Sequence, residues 1–172
     1  MAAFAGISVV TLFAPFDDTE GEFLKFVSRA KKSLVIVIYG FHLPKLTDIL
    51  IAKHQARVKV AVILDHTQAE GKAESSEVQK LVDAGVPLLI GTSPVHRAIL
   101  HSKFCVTDSK AVEFGSWNYS LSASQQSNTM TYIEDRNYAR VFTQHFDRIR
   151  DFITLHEMAM QPAHEVIPDP AA

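Results

Sequence analysis

The feature that most constrains the fold is a pair of nearly uninterrupted apolar runs, Leu34-Val35-Ile36-Val37-Ile38-Tyr39 and Val58-Lys59-Val60-Ala61-Val62-Ile63-Leu64, separated by a segment that a proline opens. Runs this short and this rich in β-branched residues read as buried strands. Pro44 between them fits the first turn of a helix over 44–54, where its missing N–H has no helical partner to lose. Asp18 and Thr19 with Glu22 make a capping box for a helix over 18–32, in which Phe23, Phe26, Val27 and Ala30 recur at helical spacing. A further helix fits 75–84, with Gly85 as its C′ residue. Residues 9–13 and 129–133 read as strands, and 135–158 as a long amphipathic helix with Tyr138, Val141, Phe142, Phe146, Ile149 and Phe152 inward. Alternation of this kind predicts an α/β fold with a mixed, largely parallel sheet flanked by helices. With 172 residues and 47% hydrophobic content, the chain can bury one sizeable core, and it holds no internal repeat. One domain is expected over 1–158, and 159–172, with three prolines, as a disordered tail.

The chemistry concentrates in His101-Ser102-Lys103-Phe104-Cys105-Val106-Thr107-Asp108 and the following Gly115-Ser116-Trp117-Asn118. Alternation with period two predicts a strand over 100–107, with His101 and Lys103 on one face and Ser102, Phe104 and Val106 on the other. A second extended run at 111–114 follows the polar break Asp108-Ser109-Lys110, which predicts a hairpin that returns Gly115, Ser116 and Asn118 beside the imidazole. A phosphodiester is an anion that repels nucleophiles, so a site that cleaves one needs fixed donors on its phosphoryl oxygens. The Lys103 ammonium, the Asn118 amide and the Ser116 hydroxyl suit that task. Gly115 lets the backbone approach a ligand closely. His101 can attack phosphorus or move a proton, because imidazole titrates near neutrality. Each residue also has an ordinary reading: a satisfied structural histidine, an edge-strand lysine, a Gly-Ser-x-Asn turn. The joint spacing is what argues for chemistry.

That spacing, His-x-Lys, four residues, Asp, six residues, Gly-Ser-x-Asn, resembles the HKD signature of the phospholipase D superfamily. The segments 30–39 and 58–65 are similar to the strands that precede the motif in that family, and Gly85-Val86-Pro87-Leu88 to the next one. One motif in a short chain resembles the single-motif endonuclease branch, the small bacterial nucleases and their mitochondrial relatives. The resemblance implies a phospholipase D-like fold and chemistry that needs neither metal nor cofactor. Two motifs meet across a twofold interface; one histidine attacks phosphorus to form a phosphohistidine, and the other protonates the leaving oxygen before activating water. It therefore implies a homodimer, with a catalytic set of His101, Lys103, Asp108, Ser116 and Asn118, in which Asp108 supports the loop. That branch often carries a glutamate against the catalytic histidine where this chain has Thr129, which leaves Asn128 or Thr129 to supply a hydrogen bond instead.

The substrate is less defined. A net charge of −2 gives no overall basic footprint, so local cations must hold a polyanion: Arg97, Lys45, Lys53 and Lys72, with His66 at the rim of the cleft. Trp117 has two readings, stacking on a base or filling the core. Cys105 is the single cysteine, forms no internal disulfide and reads as a small buried hydrophobe. His66, His96 and His101 come with neither a His-Glu-x-x-His helix nor a cysteine pair, so no metal site is expected. No segment is long enough to span a bilayer and no basic residues precede the apolar N-terminus, which makes a cytoplasmic protein the expectation and export the alternative. A nuclease acting on DNA or RNA is the favoured function. The alternatives are a phospholipase, for which Phe41-His42-Leu43-Pro44 is the candidate interfacial loop, and a nucleic-acid-binding module with little turnover.

Overall fold

A computed structural model describes residues 7–71 and 74–160, with side chains described as far as residue 155. In chain order the elements are β1 (Ser8–Ala14), α1 (Thr19–Ser28), β2 (Ser33–Ile38), β3 (Phe41–His42), α2 (Pro44–Gln55), β4 (Lys59–Asp65), α3 (His66–Ala69) and α4 (Ser75–Asp83). There follow β5 (Leu88–Gly91), β6 (Phe104–Thr107), β7 (Ala111–Gly115), β8 (Tyr119–Ser120), a 3-10 turn at Ala123–Gln125, β9 (Asn128–Glu134) and α5 (Arg136–Met160).

The two apolar runs become β2 and β4, parallel neighbours from Ser33 opposite Lys59 to Ile38 opposite Leu64. Leu34, Ile36 and Ile38 face a core shared with α1, α2 and α4, while Val37 and Ile63 face a second core under α5. Both faces are therefore dry, as an uninterrupted apolar run requires. A seven-stranded sheet in the order β1-β9-β7-β6-β2-β4-β5 results, with β3 and β8 as a separate parallel pair.

The sheet is mixed, but not largely parallel. Only β2–β4 and β4–β5 run parallel; β1–β9, β9–β7, β7–β6 and β6–β2 are antiparallel. After β5 no α-helix intervenes between strands of the sheet: a three-residue turn joins β6 to β7 and the segment 116–127 joins β7 to β9, each as antiparallel neighbours. Two boundaries also shift. The first helix stops at Ser28 rather than at 32, because the backbone N–H groups of Lys31, Lys32 and Ser33 turn to the Asp108 carboxylate. The strand expected over 100–107 begins only at Phe104, because the Leu100 N–H is held by Asp65 at the end of β4.

In α5 the inward stripe is Ala139, Phe142, Phe146, Ile149 and Ile153, a 3-4-3-4 spacing. Tyr138 and Val141, expected inward, lie one position off that stripe and are exposed. The helix runs to Met160, and the tail expected to be disordered lies outside the described residues from 161 onward.

Candidate active site

The site forms where the end of β2, the segment leading into β6 and the turn after β7 come together. Tyr39 and Gly40 follow directly on β2. The Gly40 N–H donates to Asn118 Oδ1 at 3.2 Å, and the Tyr119 N–H donates back to the Gly40 carbonyl at 3.1 Å. A Cβ on Gly40 would stand 3.1 Å from Asn118 Cγ, a tight contact that would press on the Asn118 side chain. The exposed imidazole of His101 stands edge-on to the Tyr39 ring, with centroids 4.7 Å apart. Lys103 is buried; its Nζ lies 5.2 Å from the centroid of the same ring and donates to the His101 carbonyl at 3.0 Å. Burial lowers the Lys103 pKa from its ordinary value. Three donors on an ammonium leave capacity beyond that one bond.

Behind this group stands Asp65, fully buried at the end of β4. Its Oδ2 accepts from the Leu100 N–H at 2.7 Å, one residue before His101, and its Oδ1 caps α3 by accepting from the Thr67 N–H at 2.9 Å. Gln68 of the same short helix donates to the Tyr39 hydroxyl at 2.9 Å. One carboxylate thus ties the approach to His101 and the helix that steadies Tyr39. Tyr39, Gly40, Asp65 and Gln68 are site residues that the motif pattern misses. The one local signal is Asp65-His66-Thr67, an aspartate placed to cap the turn that follows a strand.

Other expected site residues serve the scaffold. Ser116 Oγ donates to Asn128 Oδ1 at 3.0 Å and accepts from the Thr129 N–H at 3.0 Å, and Asn128 Nδ2 donates to the Ala123 carbonyl at 2.9 Å. The single hydroxyl proton of Ser116 is therefore committed to locking β7 against β9. Among the described residues neither Asn128 nor Thr129 bonds the imidazole, whose neighbour is the Tyr39 ring. Gly115 is needed for close approach to β9 rather than to a ligand, since a Cβ there would fall 2.1 Å from the Thr129 carbonyl oxygen. Trp117 is fully buried against Phe23 and Tyr119, with Nε1 donating to Ser124 Oγ at 3.2 Å, so it fills the core and cannot stack on a base.

Asp108 sits at the far end of β6 from His101. Burial works to raise its pKa, but hydrogen bonds from the Ser33, Lys32 and Lys31 N–H groups outweigh it and hold the carboxyl below the ordinary value. It closes the loop between α1 and β2, away from His101. Of the expected cations, Lys45 pairs with Glu20 at 3.0 Å, and Lys53 donates to the Ser28 and Ala30 carbonyls. Arg97 is exposed in a left-handed turn at φ 61, and His66 is exposed 3.7 Å from Glu70. Lys72 lies outside the described residues. Cys105 is fully buried, which pushes its thiol pKa well up.

A family profile described as the PLD-like domain of cardiolipin synthase matches residues 23–150, a span that contains every residue of the site just described. The chain belongs to the phospholipase D-like family. A mitochondrial cardiolipin hydrolase of Xenopus tropicalis is 30% identical over 139 residues, covering 78% of this chain and 64% of that protein. A phospholipase D of Rickettsia prowazekii is 29% identical over 140 residues, covering 81% and 66%. The chain thus spans a little under two thirds of the length of these relatives. Among solved structures, the phospholipase D family member Nuc from Salmonella typhimurium matches with a TM-score of 0.75 at 24% identity, covering 83% of this chain and 93% of that one. This likeness shows the phospholipase D-like fold. Of the residues whose spacing resembles the HKD signature, His101, Lys103 and Asn118 are those that the fold brings around Tyr39 and Gly40, while Ser116 and Asp108 brace the strands beside them.

Proposed function

We propose that the protein is a metal-independent phosphodiesterase that cleaves DNA or RNA through a phosphohistidine, at a site completed by a second copy of the chain. The convergence of His101, Lys103 and Asn118 on the Tyr39-Gly40 turn carries this reading. Lys103 and Asn118 supply the fixed donors that neutralise a phosphoryl group, and the exposed imidazole, braced edge-on, is a free nucleophile. In the first step an imidazole nitrogen bonds to phosphorus while the P–O bond to the leaving group breaks, and His101 of the partner subunit gives that oxygen its proton. In the second step the same partner histidine takes a proton from water, the water oxygen bonds to phosphorus, and the P–N bond breaks. One histidine cannot fill both roles, which is the argument for the homodimer. Val95 and Ile99 before the motif and Leu121 after it are exposed apolar residues, as an interface around such a site requires.

The relatives' names support a second reading, hydrolysis of a phospholipid diester, and the same exposed apolar residues suit a lipid surface. Among the described residues no helix is long and apolar enough to cross a membrane. One experiment separates the readings: labelled single-stranded and duplex DNA and RNA, and cardiolipin vesicles, are each incubated with the protein in excess EDTA, beside His101→Ala. Nucleic-acid cleavage that survives EDTA and falls by about 10³-fold or more in the variant supports the proposal. Cleavage of lipid alone moves the chain to the second reading, and unchanged cleavage by His101→Ala overturns the mechanism.

A further inference from the structure

We propose that a cavity beside His101 is a second anion subsite, in which Arg148 and His145 of α5 hold the phosphate that neighbours the one being cleaved in a nucleic-acid strand. The inference rests on the phosphodiesterase reading and extends it to a group that does not react.

The cavity has a volume of about 280 Å³ and opens between α5 and the segment that leads into β6, with Thr92, Ser93, His101, Ser102, His145 and Arg148 as its polar lining. Among the described residues no carboxylate lines it, as an anion site requires. The charge pattern of α5 explains how a cation is kept available there. Arg150 takes both nearby acids, Asp147 at 2.6 Å and Asp151 at 2.8 Å. Arg148, two residues earlier, has no ion-pair partner among the described residues and faces the cavity. His145, three residues before it, shares that helix face, and its ring lies 5.9 Å from that of Phe104. Burial, and the Arg148 charge after it, lower the His145 pKa, so the ring is disposed to be neutral and to act as a hydrogen-bonding group while the guanidinium carries the charge. A guanidinium fork matches the oxygens of a phosphate.

Because His101 lines the same cavity, an anion held at Arg148 is adjacent to a diester held at Lys103 and Asn118. Neighbouring phosphates in a nucleic acid are joined through a single sugar, so cleavage of one diester always leaves another close by. A chain with a net charge of −2 has no general attraction for a polyanion, and a second local contact of this kind supplies it where it is needed.

The test compares bis(4-nitrophenyl) phosphate, which has one phosphate, with a dinucleotide carrying an additional terminal phosphate. Arg148→Ala is expected to lower kcat/KM for the dinucleotide about tenfold more than for the single-phosphate diester, with Arg148→Lys between the two. An equal effect on both substrates overturns the subsite, as does an effect confined to cardiolipin vesicles. Absence of any diester hydrolysis by the wild-type protein overturns the catalytic reading instead. Binding of the same dinucleotide to His101→Ala, with and without Arg148→Ala, reads the subsite without turnover: about tenfold weaker binding supports it, and an unchanged Kd overturns it.

Discussion

Glu113 is a carboxyl placed where a carboxylate cannot be solvated. It is fully buried on the face of β7 that meets the α1 core, opposite Cys105 on β6 and Tyr132 on β9. The Tyr119 hydroxyl donates to Oε2 at 2.6 Å, and Oε1 is buried with no partner among the described residues, the position for a proton. Burial pushes the Glu113 pKa up to about 8, against the lowering effect of the Tyr119 hydrogen bond. Because the folded pKa is raised, the group's contribution to stability is fully present below the unfolded carboxyl value near 4.5 and is lost as pH rises through about 8. Glu113→Gln keeps the shape and removes the titration. Its melting temperature is expected to gain on that of the wild-type protein as pH rises from 5 toward 9, a window set by about 4.5 in the unfolded chain and about 8 in the fold. Thermal unfolding across that range checks it, and a wild-type-to-variant difference that does not change with pH would refute the assignment. The same residue shows the reach of sequence reasoning at this scale. An acid in a strand between Val112 and Phe114 carries no mark that its neighbours bury it, because Cys105, Tyr119 and Tyr132 are brought there by three different strands.

At the scale of elements, the end of β7 is fixed by contacts between backbones. Gly115 and Ser116 join β9 through the Ser116 N–H donating to the Thr129 carbonyl at 2.9 Å, with the Ser116 hydroxyl bridging Asn128 and the Thr129 N–H. Gly115→Ala places a carbon 2.1 Å from a carbonyl oxygen that belongs to a strand and cannot swing aside. The two strands must separate, at a cost of about 1–3 kcal/mol as for other overpacked sites. Since Asn118 lies three residues on, kcat/KM should fall together with the urea midpoint; a variant as stable and as active as the wild-type protein would refute the argument. The hairpin itself, the helix opened by Pro44 and the strands β2 and β4 were legible because their signals are local: alternation, a polar break, a proline at a first helical position. The site was legible to the same extent. His101, Lys103 and Asn118 declare themselves by spacing within one hairpin. Tyr39 and Gly40 follow β2, Asp65 ends β4 and Gln68 lies in α3, and the pairing of β2 with both β6 and β4 sets those residues beside the motif. Sheet direction is less legible: alternating strands and helices in the first half imply crossovers, and although the polar break at 108–110 marks one hairpin, no local signal shows that β6 also runs antiparallel to β2 or that β9 pairs with both β7 and β1.

For the whole molecule, the central question is how one reacting imidazole per chain, that of His101, would complete the proposed reaction with its two proton-handling steps. His101 is exposed, and among the described residues its ring meets Tyr39 but no side-chain hydrogen-bond partner. A lone exposed histidine can attack phosphorus, yet the leaving oxygen then departs without a proton donor, and an alkoxide is a poor leaving group. In the proposed dimer, a twofold axis passing beside the site would set each His101 against the other with no further residue required, because an isologous interface repeats the same patch on both sides. Subunit mixing follows from this. When wild-type chains are unfolded and refolded with an equal amount of His101→Ala at constant total protein, random pairing leaves about one quarter of the dimers with two histidines. Activity on bis(4-nitrophenyl) phosphate is then expected to fall to about one quarter of the all-wild-type value, while independent sites retain about one half. Sedimentation of the same mixture reports whether dimers have formed. An activity of one half from a sample that sediments as a dimer would show that each chain turns over alone, and the second proton-handling group would then have to be sought within the chain.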